Sequence, residues 1–83
     1  MPFFVYIIHS SSLDQYYIGH SENLQDRLFR HNNSGSKATK KTNDWKLVYT
    51  EIFQSKSQAY QREIHIKNKK SRKYIESLIS SAG

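Results

Sequence analysis

Residues 5–19 read V-Y-I-I-H-S-S-S-L-D-Q-Y-Y-I-G: two short apolar runs, each carrying tyrosine, on either side of a Ser/Asp turn. Alternation along an extended chain puts Phe3, Val5 and Ile7 on one face and Phe4, Tyr6 and Ile8 on the other. Strands are predicted over 3–9 and 15–20. With residues 10–13 as the loop, a symmetric hairpin sets Tyr6 opposite Tyr17. The first strand is apolar on both faces, which predicts a sheet covered on both sides. Gly19 provides either for a close backbone approach or for a bulge. Cross-strand packing alone accounts for a tyrosine pair, so any chemistry depends on partners later in the chain.

Those partners come in order. Ser21 reads as an N-cap, with Glu22 favourable in the first turn of a helix over 22–31. Leu24 and Leu28 set its buried stripe. At 100° per residue, His31 falls roughly 20° from Leu24 and Arg27 roughly 60° from it, so the two stack at i, i+4 on the edge of that stripe. An arginine there either covers apolar surface with its stem or aims its charge at a ligand. A histidine there is either structural or catalytic. Residues 32–44 form a loop with Lys37, Lys40 and Lys41, and with Ala38 as its apolar residue. Such a loop either follows a phosphate backbone or is mobile.

A third strand is predicted over 45–53. Ser55 and Gln58 fit a capping box opening a helix that runs to about Asn68. On its wheel Ala59, Tyr60 and Ile66 all lie within roughly 60° of Glu63, so this carboxylate sits in an apolar arc. It needs a partner there: an ion pair with Arg27 or with a lysine such as Lys67, or a metal cation. Ser71 then caps a last helix to about Ser80, with Tyr74, Ile75, Leu78 and Ile79 as its stripe. The tail 81–83 is expected to fray.

Val5-Tyr6-Ile7 and Tyr17-Ile18-Gly19 are followed in order by Arg27, His31-Asn32, Gly35, Ala38, Trp45-Lys46-Leu47-Val48-Tyr49 and Arg62-Glu63. This set resembles the GIY-YIG nucleases across nearly the whole chain, above all the small single-domain members related to the excinuclease nuclease module. Val5 stands where the signature has its first glycine. The resemblance implies an α+β fold, a three-stranded antiparallel sheet flanked by about three helices, in a single domain over 1–83. It also implies a metal-dependent endonuclease of low or structure-based specificity acting on DNA, as in DNA repair, with RNA a further possible substrate. The alternative is a nucleic-acid-binding module without cleavage.

Hydrolysis of a phosphodiester needs positive charge on the phosphate oxygens, a base for the attacking water and a Lewis acid for the leaving oxygen. Arg27 supplies fork-shaped positive charge. By resemblance Tyr6 is the base, Tyr17 a second phenol that binds phosphate or assists proton transfer, and His31 a hydrogen-bonding group of the same site. Glu63 is the implied metal ligand, for Mg²⁺ or Mn²⁺. His20 stands where some relatives carry a lysine at the phosphate. Relatives often carry an asparagine well after the glutamate; none lies in 71–83, and Asn68 follows Glu63 too closely to take that place.

Charge supports a polyanionic partner. Thirteen Lys+Arg stand against seven Asp+Glu, and all thirteen lie from Arg27 to Lys73. Five cluster in Lys67, Lys69, Lys70, Arg72 and Lys73, which with Lys37, Lys40 and Lys41 are candidate nucleic-acid contacts. A solvated basic face has the same composition. Docking on anionic lipid would need Ile75, Leu78 and Ile79 free of the core, and so small a domain needs them inside. No apolar run approaches the ~18 residues of a membrane span. The first residues lack a basic, cleavable leader pattern. The chain has no cysteine, hence no disulfide or thiolate site, which suits a cytoplasmic location.

Overall fold

A computed structural model describes residues 2–33, 37 and 39–82. The elements are β1 (Phe3–Ser10), β2 (Gln15–Ser21), α1 (Leu24–Asn33), β3 (Trp45–Phe53), α2 (Lys56–Asn68) and α3 (Arg72–Ala82). The strands form one antiparallel sheet in the order β2-β1-β3. The α+β class is the expected one. Ser55 caps α2 by accepting a hydrogen bond from the Gln58 amide, and Ser71 caps α3 through the Tyr74 amide. α3 continues to Ala82, so the expected frayed tail is helical at 81 and 82. Gly35, Ala38 and Gly83 lie outside the described residues.

β1 is the middle strand, and both of its faces are covered. Val5 and Ile7 pack with Ile18 and with Ala59 and Ile66 of α2, and Tyr74, Ile75 and Leu78 of α3 close that layer. Tyr6 and Ile8 face the other way, against Trp45 and against Leu24 and Leu28 of α1. Two small cores therefore share one strand, which is why its sequence is apolar without alternation.

Two local expectations are corrected and one open alternative, at Gly19, is settled. First, the hairpin turns over 11–14, so Ser10 pairs with Gln15, Tyr6 with Gly19 and Ile8 with Tyr17. Tyr6 and Tyr17 share a face as diagonal neighbours, not as a directly opposed pair. Asp14 moves the turn along by one residue. It adopts φ 51, a left-handed conformation that Asp tolerates, and its carboxylate pairs with Arg72 at 2.5 Å and with His9 at 3.1 Å. Second, α1 starts at Leu24 and is capped by Asn23, whose Oδ1 accepts from the Asp26 amide at 3.0 Å. Ser21 is the end of β2, paired with Phe4. Third, the irregular pairing falls in β3 instead of at Gly19. Ile7 pairs with Tyr49 and Ile8 with Leu47, leaving Val48 as an extra residue. This bulge changes the phase of the strand. Trp45 turns to the α1 side, while Tyr49 and Phe53 turn to the α2 side.

Candidate active site

Gly19 faces Tyr6 across the β1–β2 ladder. A Cβ at Gly19 would lie 2.5 Å from the Tyr6 hydroxyl oxygen and 2.7 Å from Cζ. The glycine is therefore the space that the Tyr6 ring fills as it lies over β2. This is the close approach expected from the sequence.

From there the Tyr6 hydroxyl reaches Nε2 of His31 at 2.8 Å, and Nδ1 of His31 reaches the Thr39 hydroxyl at 2.9 Å. All three side chains are buried. Burial, then the Tyr17 phenol and, against the pull of Arg27, Glu63 push the Tyr6 phenol well above the ordinary tyrosine range. Burial and then the Arg27 charge lower the pKa of His31 from its ordinary value near 6.5. At pH 7 the phenol keeps its proton and the imidazole is neutral. Two proton arrangements fit this neutral chain: the phenol donates to Nε2 and Nδ1–H to Thr39, or the Thr39 hydroxyl donates to Nδ1 and Nε2–H to the phenol. The Tyr17 ring stands 4.9 Å from that of His31, centroid to centroid.

Thr39 was not identified from the sequence. It holds the segment after α1 against the site twice, since its carbonyl also accepts from Trp45 Nε1 at 2.8 Å. Asn32 brackets the Trp45 backbone with both ends of its amide, at 2.8 and 3.1 Å. Asp44 accepts from the Ser10 hydroxyl at 2.6 Å and from the Ser12 amide at 2.9 Å. These hydrogen bonds hold its carboxyl well below the usual range. The described part of the loop is thus anchored at three points. No pattern at residue 39 signals its role, because a threonine in a polar segment has no periodicity to break.

Glu63 arrives from α2 on the far side of β2, an edge strand. It is 7% exposed. Its Oε1 meets Nδ1 of His20 and its Oε2 meets Nζ of Lys67, each at 2.6 Å. Of the partners expected from the wheel, Lys67 is present and Arg27 is not; His20 is an addition. The Lys67 ammonium also stands 5.9 Å from the Tyr17 ring centroid. The constellation therefore wraps round the free edge of the sheet, from His31 and Tyr6 on one side to Glu63 on the other.

Among the described residues no group of three or more His, Cys, Asp or Glu side chains comes together. A buried carboxylate beside one imidazole still fits a cation that keeps most of its positions for water and a substrate phosphate. Glu63 is the residue that would hold it, and His20, whose Nδ1–H donates to Oε1, would orient that carboxylate.

The candidate nucleic-acid contacts divide by position. His20 and Arg27 line a groove of about 340 Å³ with Arg30 and Lys56. Lys40 and Lys41 line a second groove of about 410 Å³ with His31. Lys37 is exposed on the same segment. Lys67 belongs to the site itself. Lys69 lies over the Tyr74 ring and Lys70 and Lys73 are exposed. Arg72 is engaged internally, with Asp14 and Glu76 and against the Tyr16 ring. Arg27 is exposed and makes no ion pair with a described carboxylate. Among the described residues no helix is long and apolar enough to cross a membrane.

Comparison with known proteins agrees with this architecture. The model of the GIY-YIG catalytic domain matches residues 2–75. The UPF0213 protein of Staphylococcus saprophyticus is 37% identical over 65 residues, which cover 77% of this chain and 78% of the relative. That of Clostridium perfringens is 40% identical over 65 residues, 77% of this chain and 69% of the relative. The solution NMR structure of a UPF0213 protein from Bacillus halodurans, 31% identical, matches with a TM-score of 0.62 over 100% of this chain and 87% of that one. The first tripeptide, the glycine that makes room for its tyrosine and the matched length together place the chain in the GIY-YIG catalytic domain family.

Proposed function

We propose that this protein is a divalent-cation-dependent endonuclease that hydrolyses phosphodiester bonds in DNA, with low or structure-based specificity, using Mg²⁺ or Mn²⁺. The observation that carries it is the buried chain from Tyr6 through His31 to Thr39, beside an arginine that pairs with no carboxylate among the described residues. A phenol held neutral cannot take a proton unless it gives one up. In the tautomer that leaves Nε2 unprotonated, its O–H points at a neutral imidazole 2.8 Å away. As water attacks phosphorus, Tyr6 Oη takes the water proton and passes its own to His31 Nε2, leaving hydroxide to attack and an imidazolium braced by Thr39. Arg27 neutralises charge on the phosphate oxygens. Tyr17, whose ring packs beside His31, would donate to the same phosphate. A cation held at Glu63 would supply Lewis acidity for the leaving oxygen. Apart from its catalytic face the domain has little surface for reading bases, so phosphate contacts would dominate affinity.

A second reading, nucleic-acid binding without cleavage, is favoured by one observation: both oxygens of Glu63 already have nitrogen partners. Nicking of labelled duplex, flap and single-stranded DNA with Mg²⁺, Mn²⁺ or EDTA separates the two. Cation-dependent nicking that falls ~10²-fold or more in both Tyr6→Phe and Glu63→Gln, with DNA affinity retained, supports the nuclease. Equal, cation-independent binding by all three proteins and no nicking leaves the binding module.

A further inference from the structure

Lys56, Tyr60, Glu63 and Lys67 follow one another at i, i+4, i+7 and i+11 along α2, within about 60° of one another around the helix axis. Glu63 is the buried member of this stripe, whereas the Tyr60 residue is 52% exposed. A ring left so open adds little to the core, so packing does not account for an aromatic residue here. Two relations locate it. Its ring stands edge-on to His20, with centroids 5.6 Å apart and planes at 71°, and His20 Nδ1–H donates to Glu63 Oε1 at 2.6 Å. Lys56, one turn earlier on α2, lines with His20 the groove that Arg27 and Arg30 also line, Arg30 being paired with Asp26. Tyr60 therefore borders a basic groove, one turn from the buried carboxylate. Cations beside an open aromatic ring are the two parts of a site for unpaired nucleic acid: charge follows the backbone, and the ring stacks a base. In duplex DNA each base face is covered by its neighbour. A ring beside the backbone meets none unless a base is turned out of the stack, which costs least where the base is already unpaired.

We infer that Tyr60 stacks an unpaired base beside the phosphate held at Glu63, so that the site takes DNA with an unpaired nucleotide at that point. The inference rests on the proposed binding of DNA at Glu63, and deepens a structure-based specificity into a class of substrate. His20 holds both sides of this arrangement, orienting the carboxylate through Nδ1 and supporting the Tyr60 ring.

Fluorescence anisotropy in EDTA, at one fixed salt concentration, tests this with three labelled probes: oligothymidylate, an abasic strand of the same length and a blunt duplex. Wild type should bind oligothymidylate at least about fivefold more tightly than the abasic strand, the lower end of the range for one stacked base. Tyr60→Ala should lose at least about fivefold on oligothymidylate and stay within about twofold on the other two probes, which offer no base face. Tyr60→Phe keeps the ring and should keep the preference. Equal wild-type affinity for oligothymidylate and the abasic strand overturns the inference, with no variant required to fold. An equal loss on all three probes in Tyr60→Ala also overturns it: the ring then only supports His20. Nicking with a divalent cation is read separately. Nicking by wild type, with binding that does not depend on Tyr60, leaves the nuclease standing without the inference. Binding that depends on Tyr60 and on the base, without nicking, upholds the stacking contact and removes the nuclease. If wild type binds none of the three probes, both fail.

Discussion

Gly19→Ala adds one methyl group where the Tyr6 ring already lies, 2.5 Å from its hydroxyl. The ring cannot rotate aside cheaply, because it is buried and its oxygen is tied to His31. Either the strands part or Tyr6 leaves His31. The expected outcome is a loss of about 1–3 kcal/mol, the usual range for an overpacked site, together with loss of nicking. Thermal unfolding and a nicking assay on one preparation check it. Gly19→Ala with wild-type stability and activity would show that the ring has somewhere else to go. At this scale the sequence is informative where chemistry is rare. A glycine in a strand and a carboxylate in an apolar arc both break a pattern, and both were legible. Thr39 and the pairing of His20 with Glu63 break none. They depend on which segments meet in three dimensions, so they were not legible.

The segment between α1 and β3 is the element on which the site depends most. Thr39 ties it to His31, Thr39 again and Asn32 to Trp45, and Asp44 to the hairpin at Ser10 and Ser12. Thr39→Val keeps the shape and the Trp45 bond, which uses the backbone carbonyl, and removes only the hydroxyl. Nicking should fall by about tenfold or more while the fold persists, and Thr39→Ser should restore it; orienting a base is worth at least that much. Equal activity in Thr39→Val and wild type would mean that His31 needs no such brace. Strand and helix positions were largely readable, because alternation and Ser caps are local signals. The turn and the phase of β3 were not. The turn follows from Asp14 meeting Arg72 of α3, and the phase from Val48 letting Trp45 and Tyr49 reach opposite cores; each reflects a neighbour distant in sequence.

For the molecule as a whole, stability should depend on pH with a definite shape. Folding lowers the pKa of His31, so its contribution is complete above about 6.5 and is lost as pH falls below that, when the unfolded chain takes up a proton the native one refuses. Asp14, Asp44 and Glu51 are lowered as well, chiefly by hydrogen bonds from Arg72, Ser10 and Arg62 respectively, and their contribution is lost in turn as pH falls below the ordinary carboxylate range near 4. Tyr6 is raised, so stability also declines above about pH 10. Urea unfolding between pH 3 and 8 should show two descending steps toward acid, and His31→Gln should remove the upper one. A single step in both proteins would contradict the burial of a neutral imidazole. The proposed site draws on residues 6 to 63: the hairpin gives two phenols, α1 an arginine and an imidazole, the anchored segment a hydroxyl and α2 a carboxylate. The hairpin closes locally, but β1 must wait for β3 to return across more than thirty residues of chain, a slower and costlier closure. Until then Thr39 and Trp45 are absent and His31 is unbraced. If the proposed function holds, a full-length chain whose β3 has not yet paired would carry its basic residues without an assembled site, so the order of assembly alone would limit stray cutting with no inhibitor required.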